Sequence, residues 1–285
     1  MSSDAVILEQ AITFNGFSLT QSHVPSQYWF QDLYASYAKF LDVLSTDRVL
    51  RDAFDKASSD FSSSLGDSWN SIPFGVVDRT IRVDKHDKIY LQWSRDYNEF
   101  LEKSGLLIPC LESLQSKLTL LHDLLQEFAE DVVSKLIPDF GFAKGGVQYP
   151  IVVKLVKYIS TNSNRWATNP HQDKSIWSWI LDSSDEECSL LIGPHTEELN
   201  LSNLAVPESW LPRRKWATKP AIEFPGLMAN LSGLAMRASP HCVKPLKDGT
   251  IRYACIAFLI LPNLGLFNAQ TDVPYIDDIQ FGAVI

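Results

Sequence analysis

The sequence predicts one α+β domain, with helices in its N-terminal half and an antiparallel β-sheet in the remainder. Three observations predict it. Apolar residues recur at three- and four-residue steps through much of residues 1–145. After Gly145-Gly146, runs of β-branched and aromatic residues alternate with turn residues. Of the 285 residues, 45% are hydrophobic and 21% are charged, a composition that supports a substantial core without disulfide or metal staples.

Three helices are predicted in the N-terminal half. Residues 26–44 carry an apolar stripe from Trp29 to Leu44. Asp47 is a typical N-cap for a second helix, and the serine-rich stretch 58–68 is expected to end that helix in a loop. The clearest helix is Leu111–Leu136, which has leucines and other apolar residues at helical spacing. These helices are expected to pack on the outside of the sheet.

The strands are predicted from β-branched runs and from turn residues at their ends. They cover residues 152–158, 175–181, 189–192, 226–231 and 251–260. Asp248-Gly249 precedes the last of them and is a sequence typical of a two-residue hairpin turn. A hairpin at this point would pair the segment that contains His241 with the strand that contains Arg252.

Charge and cysteine content exclude several classes of protein. The net charge of -9 argues against a broad nucleic-acid or membrane-surface partner. No stretch of 18 apolar residues predicts a transmembrane helix. No two cysteines are spaced as a CxxC zinc pair, and without an evident signal peptide we expect reduced thiols and a cytoplasmic location. The cysteines are Cys110, Cys188, Cys242 and Cys255.

A histidine and a carboxylate two residues apart predict a metal site. On an extended segment, His171 and Asp173 point to the same side, so both can reach one ion. His195 and Glu197 have the same spacing, but their turn-like setting predicts a surface loop. One further histidine would complete a face of two histidines and one carboxylate, which leaves coordination positions open on iron(II).

The predicted hairpin supplies that histidine and a cation. With Asp248-Gly249 as its turn, His241 and Arg252 would share one face of the sheet, roughly 13 Å apart along the strands. A metal held by His241 could then bind one end of a short dicarboxylate, and the guanidinium of Arg252 the other end.

Several segments carry a resemblance to one known family. They are His171-Gln172-Asp173, His241-Cys242-Val243, Arg252-Tyr253-Ala254, Tyr158, the stretch from Pro225 to Leu231, and Asp87-Lys88. Over most of the chain they resemble the iron(II)- and 2-oxoglutarate-dependent dioxygenase superfamily, closest to its isopenicillin N synthase-like branch. Ala254 departs from the family pattern, because it stands where the family has a serine that binds the cosubstrate.

The resemblance implies a fold, a set of ligands and a reaction. The fold is a double-stranded β-helix (jelly roll) with N-terminal helices packed outside. A single domain over 1–285 would contain a mainly helical region 1–145, a jelly-roll core 146–262 and a C-terminal tail 263–285. The implied Fe(II) ligands are His171, Asp173 and His241, while Arg252 and Tyr158 would bind the far carboxylate of 2-oxoglutarate.

The implied reaction uses O2 and 2-oxoglutarate to oxidise an unactivated C–H bond, with hydroxylation favoured and desaturation or ring closure as alternatives. The substrate would be a small metabolite, an amino acid or a peptide-like or natural-product intermediate, and the oligomeric state is left open. Arg165, Lys174 and Trp177 flank the metal pair and are candidates for binding that substrate. Trp177 has the same parity as Asp173, so on a regular strand its side chain would face the cavity. Two alternatives remain: a catalytically inactive jelly-roll binding protein, and a cupin-like metal enzyme that uses zinc or nickel without 2-oxoglutarate.

Overall fold

The computed structural model describes most of the chain between residues 18 and 260. The described residues are 18–19, 23–65, 72–80, 88–106, 108, 110–136, 148–160, 166–184, 189–193, 211–212, 221–229, 238–247 and 249–260. Within them the chain forms four helices and eleven strands. The α+β class predicted from the sequence is therefore confirmed.

The helices all precede the strands that carry the candidate site. They are α1 (Gln27–Thr46), α2 (Arg48–Ser64), α3 (Arg95–Lys103) and α4 (Leu111–Leu136). Ser26 and Asp47 cap α1 and α2, and each side-chain oxygen accepts a hydrogen bond from a backbone N–H of the first turn. The three predicted helices are confirmed, and α3 was not predicted.

The serine-rich stretch is more helical than its composition predicts. Helix α2 continues to Ser64, well into the stretch 58–68 that was expected to end it in a loop. The serine hydroxyls bond back to carbonyls of the preceding turn, as from Ser62 to Ser58 at 2.8 Å. Phe61 also continues the buried stripe, so packing outweighs the low helix propensity of serine.

The strands form two antiparallel sheets. They are β1 (Ser18–Leu19), β2 (Gly75–Asp78), β3 (Lys88–Trp93), β4 (Ile151–Ile159), β5 (Thr168–His171), β6 (Trp177–Ser183), β7 (Leu190–Ile192), β8 (Leu211–Pro212), β9 (Ile222–Pro225), β10 (His241–Val243) and β11 (Ile251–Leu259). The major sheet has the order β1-β9-β6-β11-β4-β3-β2, and the minor sheet has the order β5-β10-β7-β8.

The two faces of the major sheet have different neighbours. Its outer face packs on the helices, as where Trp179 of β6 contacts Phe128 of α4 with ring centroids 6.2 Å apart. Its inner face packs on the minor sheet, as where Ile180 of β6 joins a cluster with Ile192 of β7. The helices therefore lie outside a two-sheet sandwich, and the space between the sheets is where side chains of both sheets converge.

The predicted hairpin between β10 and β11 is wrong. The backbone bonds Thr250 N–H to Lys247 O at 3.1 Å, so the chain does turn there. However, β10 pairs with β5 and β7 in the minor sheet, while β11 pairs with β4 and β6 in the major sheet. His241 and Arg252 therefore lie in opposite sheets, and the separation derived from the hairpin does not apply.

One further strand prediction needs correction, and some strands were not predicted. The segment predicted as a strand over 226–231 begins as a turn at 226–229, and the strand β9 precedes it. Strands β2 and β3 were not predicted, although β3 pairs with β4 inside the major sheet.

Within the described residues, no helix has the length and hydrophobicity that crossing a bilayer requires.

Candidate metal centre

Two histidines of the minor sheet and one aspartate form a compact buried cluster. His171 ends β5 and His241 begins β10, and the two residues are direct partners in the antiparallel ladder. Asp173 follows β5 in a short irregular segment. One ligand atom from each of the three lies within 4.8 Å of the others. The structure thus brings together the three residues that the sequence analysis selected.

The orientation of both imidazoles is fixed by backbone carbonyls. The Nδ1 atom of His171 lies 2.7 Å from the carbonyl oxygen of Asn169, and that of His241 lies 3.2 Å from the carbonyl oxygen of Ser239. A carbonyl oxygen only accepts, so each Nδ1 carries the proton and donates it. Both Nε2 atoms lie 3.5 Å from Oδ1 of Asp173. This arrangement presents two Nε2 lone pairs to one point, as in histidines that bind metals.

The two carboxylate oxygens of Asp173 have different surroundings. Oδ2 accepts a hydrogen bond from Ser178 at 2.7 Å, and Ser178 also contacts the hydroxyl of Ser175 at 2.8 Å. Oδ1 and the Nε2 atom of His171 are buried and have no hydrogen-bond partner among the described residues. Buried polar atoms in this state are rare in proteins, so the cluster fits a cation between them.

The pKa of Asp173 agrees with a site that favours positive charge. Burial alone would raise this pKa, but His241, His171 and the Ser178 hydroxyl outweigh burial and lower it to about 2. The carboxylate is therefore ionised throughout the ordinary pH range and can act as an anionic ligand.

A turn after β9 holds the aspartate segment from behind. Leu227 N–H donates to the carbonyl of Asp173 at 2.7 Å, and Met228 N–H donates to that of Ser175 at 2.8 Å. A β-carbon on Gly226 would overlap two oxygen atoms of Ser175 and lie 2.8 Å from the carbonyl oxygen of Asp173. Glycine at 226 therefore allows the close approach that positions the metal-facing carboxylate.

Comparison with known proteins gives structural matches only. No protein-family model matches the sequence, and no curated protein matches it. The dioxygenase for auxin oxidation 1 of Arabidopsis thaliana, solved with 2-oxoglutarate, aligns with a TM-score of 0.60 and 16% identity over 92% of this chain and 90% of that one. A protein named JOX2, solved with 2OG, Fe and JA, aligns with a TM-score of 0.59 and 12% identity over 94% of this chain and 76% of that one.

A third match has the same overall architecture. A Neurospora crassa protein in complex with alpha-KG and 5-formyluracil aligns with a TM-score of 0.56 and 13% identity over 95% of this chain and 85% of that one. This chain has the fold of the 2-oxoglutarate- and Fe(II)-dependent oxygenases. The jelly-roll core with outer helices, which the resemblance implied, is thereby confirmed; the isopenicillin N synthase-like branch stays a prediction.

In this oxygenase fold, the two predicted cosubstrate residues are neighbours on the major sheet. Arg252 of β11 and Tyr158 of β4 are direct partners across the ladder. The guanidinium of Arg252 lies over the phenol ring of Tyr158, 4.2 Å from its centroid. Both side chains are buried.

The three candidate substrate residues have different outcomes. Arg165 lies outside the described residues, as do His195 and Glu197. Lys174 is buried beside Asp173, and its role stays a prediction. The orientation expected for Trp177 is wrong, because its ring belongs to the helix-facing core and its indole N–H donates to Glu223 at 3.4 Å.

The error for Trp177 has a simple cause. Residues 173 and 177 would point to the same side only if the strand between them were regular. The chain bends over residues 174–176 before β6 begins. As a result, Ser178 rather than Trp177 faces the metal cluster.

Sequence reasoning also missed residues that support the cluster. Ser178 and Gly226 were not selected, and the phenyl ring of Phe224, which lies 4.8 Å from the ring of His241, was not either. The alternation of β6 and the Pro225-Gly226 pair were visible in the sequence. However, neither shows that the Asp173 segment packs against these residues in the folded chain.

Proposed function

We propose that this protein is an Fe(II)- and 2-oxoglutarate-dependent oxygenase that hydroxylates a C–H bond of a small organic substrate. One observation carries the proposal: Nε2 of His171, Nε2 of His241 and Oδ1 of Asp173 converge at a buried point inside an oxygenase fold. Two imidazoles and one carboxylate on one side of an ion leave three positions for other ligands. The donor set therefore fits Fe(II) with room for a chelating cosubstrate and O2.

The residues of this chain have distinct tasks in the proposal. His171, His241 and Asp173 hold the ion, and the carbonyls of Asn169 and Ser239 keep the imidazoles in the metal-binding tautomer. Iron bound here would couple two reactions: decarboxylation of 2-oxoglutarate to succinate and CO2, and oxidation of a C–H bond. One oxygen atom of O2 would enter succinate and the other would enter the C–H bond.

The far end of the cosubstrate is assigned to Arg252 and Tyr158. The cation–π contact with the ring of Tyr158 holds the guanidinium in place, so its donors can meet a carboxylate with little further loss of conformational entropy. The surrounding apolar residues Val156 and Ala254 help to exclude water from this end.

A small-molecule substrate is supported by charge and by the structural neighbours. The net charge of -9 disfavours nucleic acid. The neighbours were solved with compounds such as JA and 5-formyluracil, or are named for oxidation of auxin. Lys174, buried next to Asp173, remains our candidate contact for an anionic group of the substrate.

An anaerobic titration with Fe(II) and 2-oxoglutarate tests the proposal. We expect a visible metal-to-ligand charge-transfer band in the wild type, and succinate release after O2 is admitted. The band should be absent in His241→Ala and retained in His23→Ala, because His23 is exposed. Tight zinc binding without succinate would instead favour a cupin-like enzyme, and no metal uptake would favour an inactive binding protein.

A further inference from the structure

A row of three buried side chains crosses the inner face of the major sheet. Lys88 of β3 is the ladder partner of Tyr158 of β4, and Tyr158 is the partner of Arg252 of β11. Lys88, Tyr158 and Arg252 are 2%, 3% and 4% exposed, respectively. Since neighbouring strands lie about 4.8 Å apart, the two cationic residues start about 10 Å from each other with the phenol between them.

A threonine from the opposite sheet joins this row. Thr168 begins β5, the strand that ends at His171. Its hydroxyl accepts a hydrogen bond from Nζ of Lys88 at 3.4 Å and lies 3.3 Å from the hydroxyl of Tyr158. Lys88 therefore extends across the space between the sheets, on the same side of the major sheet as the metal cluster.

We infer that Lys88 is a second cationic ligand for the far carboxylate of 2-oxoglutarate and that Thr168 positions it. The inference rests on the proposed function. Arg252 lies over the face of the Tyr158 ring, and Lys88 reaches Thr168 beside the Tyr158 hydroxyl. A carboxylate at the hydroxyl edge of the ring therefore meets a guanidinium on one side and an ammonium on the other. The hydroxyl groups of Tyr158 and Thr168 supply further hydrogen bonds to the same oxygen atoms.

The electrostatics of the row favour a bound anion. Two positive charges in a buried site are unfavourable for two reasons: each charge loses its hydration, and the two charges repel each other. A carboxylate shared between them reduces both costs, which makes its binding stronger than binding to either cation alone. The pattern of β3 agrees, because Lys88, Tyr90 and Gln92 all alternate toward the inner face, where a purely structural strand would place apolar residues.

Binding of two ligands that differ only at the far end tests this inference. 2-Oxoglutarate ends in a carboxylate, whereas 2-oxopentanoate has the same chain length and ends in a methyl group. Their Kd values would be measured anaerobically by calorimetry with the Mn(II)-loaded protein, so catalytic turnover is not needed. The variants are Lys88→Met, Lys88→Arg, Thr168→Val and the control Lys154→Met.

The control matches Lys88 in type and setting. Lys154 is also buried on the inner face, but it lies four residues before Tyr158 on β4, with its Nζ 4.4 Å from the centre of the Tyr90 ring. We expect Lys88→Met to weaken 2-oxoglutarate binding by about 10- to 100-fold and to leave 2-oxopentanoate binding unchanged. Lys88→Arg should retain most of the affinity, and Lys154→Met should bind 2-oxoglutarate as the wild type does.

The other outcomes overturn the inference in distinguishable ways. An unchanged Kd for 2-oxoglutarate in Lys88→Met, or an equal loss for both ligands, shows that Lys88 does not bind the far carboxylate. If Lys88→Met fails to fold, Thr168→Val decides: a loss for 2-oxoglutarate alone supports the inference, and no loss overturns it. A wild-type protein that binds neither 2-oxo acid overturns the proposed function, and this inference with it.

Discussion

At the scale of single residues, the candidate site depends on hydrogen bonds that fix the orientation of each metal-binding side chain. The Nδ1 atoms of His171 and His241 are occupied by carbonyl oxygens, and Oδ2 of Asp173 is occupied by Ser178. The other ligand atom of each side chain lies within 4.8 Å of the other two and can coordinate an ion. Such supporting contacts commonly change metal affinity by 10- to 100-fold.

Ser178 provides a direct test of this idea. Ser178→Ala should weaken Mn(II) binding by about tenfold, because Asp173 loses the donor that fixes its rotation. The variant should also lose about 1–2 kcal/mol of unfolding free energy, because a buried carboxylate oxygen loses its partner. Calorimetry gives the first value and urea denaturation the second.

Ser178→Thr is the matched variant, since it keeps the hydroxyl group. We expect it to bind Mn(II) within about threefold of the wild type. Equal losses in both variants would show that packing around residue 178, and not the hydrogen bond, supports the aspartate.

The sequence was informative about donor residues and uninformative about their supports. His171 and Asp173 are two residues apart, so local geometry alone predicts that they share an ion. Ser178 reaches Asp173 only because residues 174–176 bend, and Gly226 is 53 residues further along the chain than Asp173. Contacts of this kind depend on tertiary structure, which period-two alternation does not encode.

At the scale of elements, the predictions succeeded where one face of an element is apolar. Helix α4 has the predicted bounds because its apolar stripe runs without interruption. Strand β3 was missed because its inner face carries Lys88, Tyr90 and Gln92 while its outer face carries the apolar residues. Its alternation is that of a strand with a solvated face, although the polar face is buried between the sheets.

The two tryptophans of strand β6 lie on the helix-facing side of the major sheet. Trp177 and Trp179 both donate to the same carboxylate oxygen of Glu223, at 3.4 and 3.2 Å, on the helix-facing side of the sheet. Trp177→Phe should therefore destabilise the fold by about 1–2 kcal/mol through the lost hydrogen bond and the smaller ring. Its affinity for 2-oxoglutarate should be unchanged. A weakened affinity at full stability would place the ring on the inner face instead.

The contact between α4 and β3 adds a pH-dependent term to stability. His122 of α4 is buried against the ring of Trp93, with centroids 5.9 Å apart. Burial, with a smaller contribution from Arg95, lowers the pKa of His122 to about 4, although Asp123 acts in the opposite direction. An unfolded histidine has a pKa near 6.5, so between about pH 6.5 and pH 4 the unfolded chain binds a proton that the folded chain does not.

Stability should accordingly fall as the pH decreases through this range. The contribution of His122 amounts to about 1.4 kcal/mol per pH unit near pH 5 and up to about 3 kcal/mol in total. We would measure the unfolding free energy by urea denaturation between pH 5 and pH 7. It should change less steeply with pH in His122→Gln than in the wild type, whatever the variant's stability at pH 7. His23→Gln, at an exposed position, should keep the wild-type slope; an identical slope in all three proteins would contradict the assignment.

At the scale of the whole molecule, the main error was to treat neighbouring strands in sequence as neighbours in space. Strands β10 and β11 are separated by only seven residues, yet they belong to opposite sheets. In a jelly roll the chain repeatedly crosses between sheets, so a turn signal such as Asp248-Gly249 does not specify which strands pair. The family resemblance implied the jelly roll and its three metal ligands although the hairpin was wrong, because a resemblance depends on the order of motifs along the chain and not on which strands pair.

This crossing gives the metal site a structural role that can be measured. The two histidines belong to the minor sheet, whereas Asp173 is held by Ser178 of the major sheet and His241 packs on Phe224 of the major sheet. An ion bound by all three ligands therefore connects the sheets and stabilises only the folded chain.

Mn(II) at 100 times its Kd should raise the unfolding free energy by about 2.7 kcal/mol, which corresponds to a rise in Tm of about 5 °C. At the same Mn(II) concentration Asp173→Ala should lose this rise, measured by thermal denaturation with and without the ion, because the ion loses its anionic ligand and binds the folded chain far more weakly. The same increase in both proteins would mean that the ion stabilises the fold from a different site.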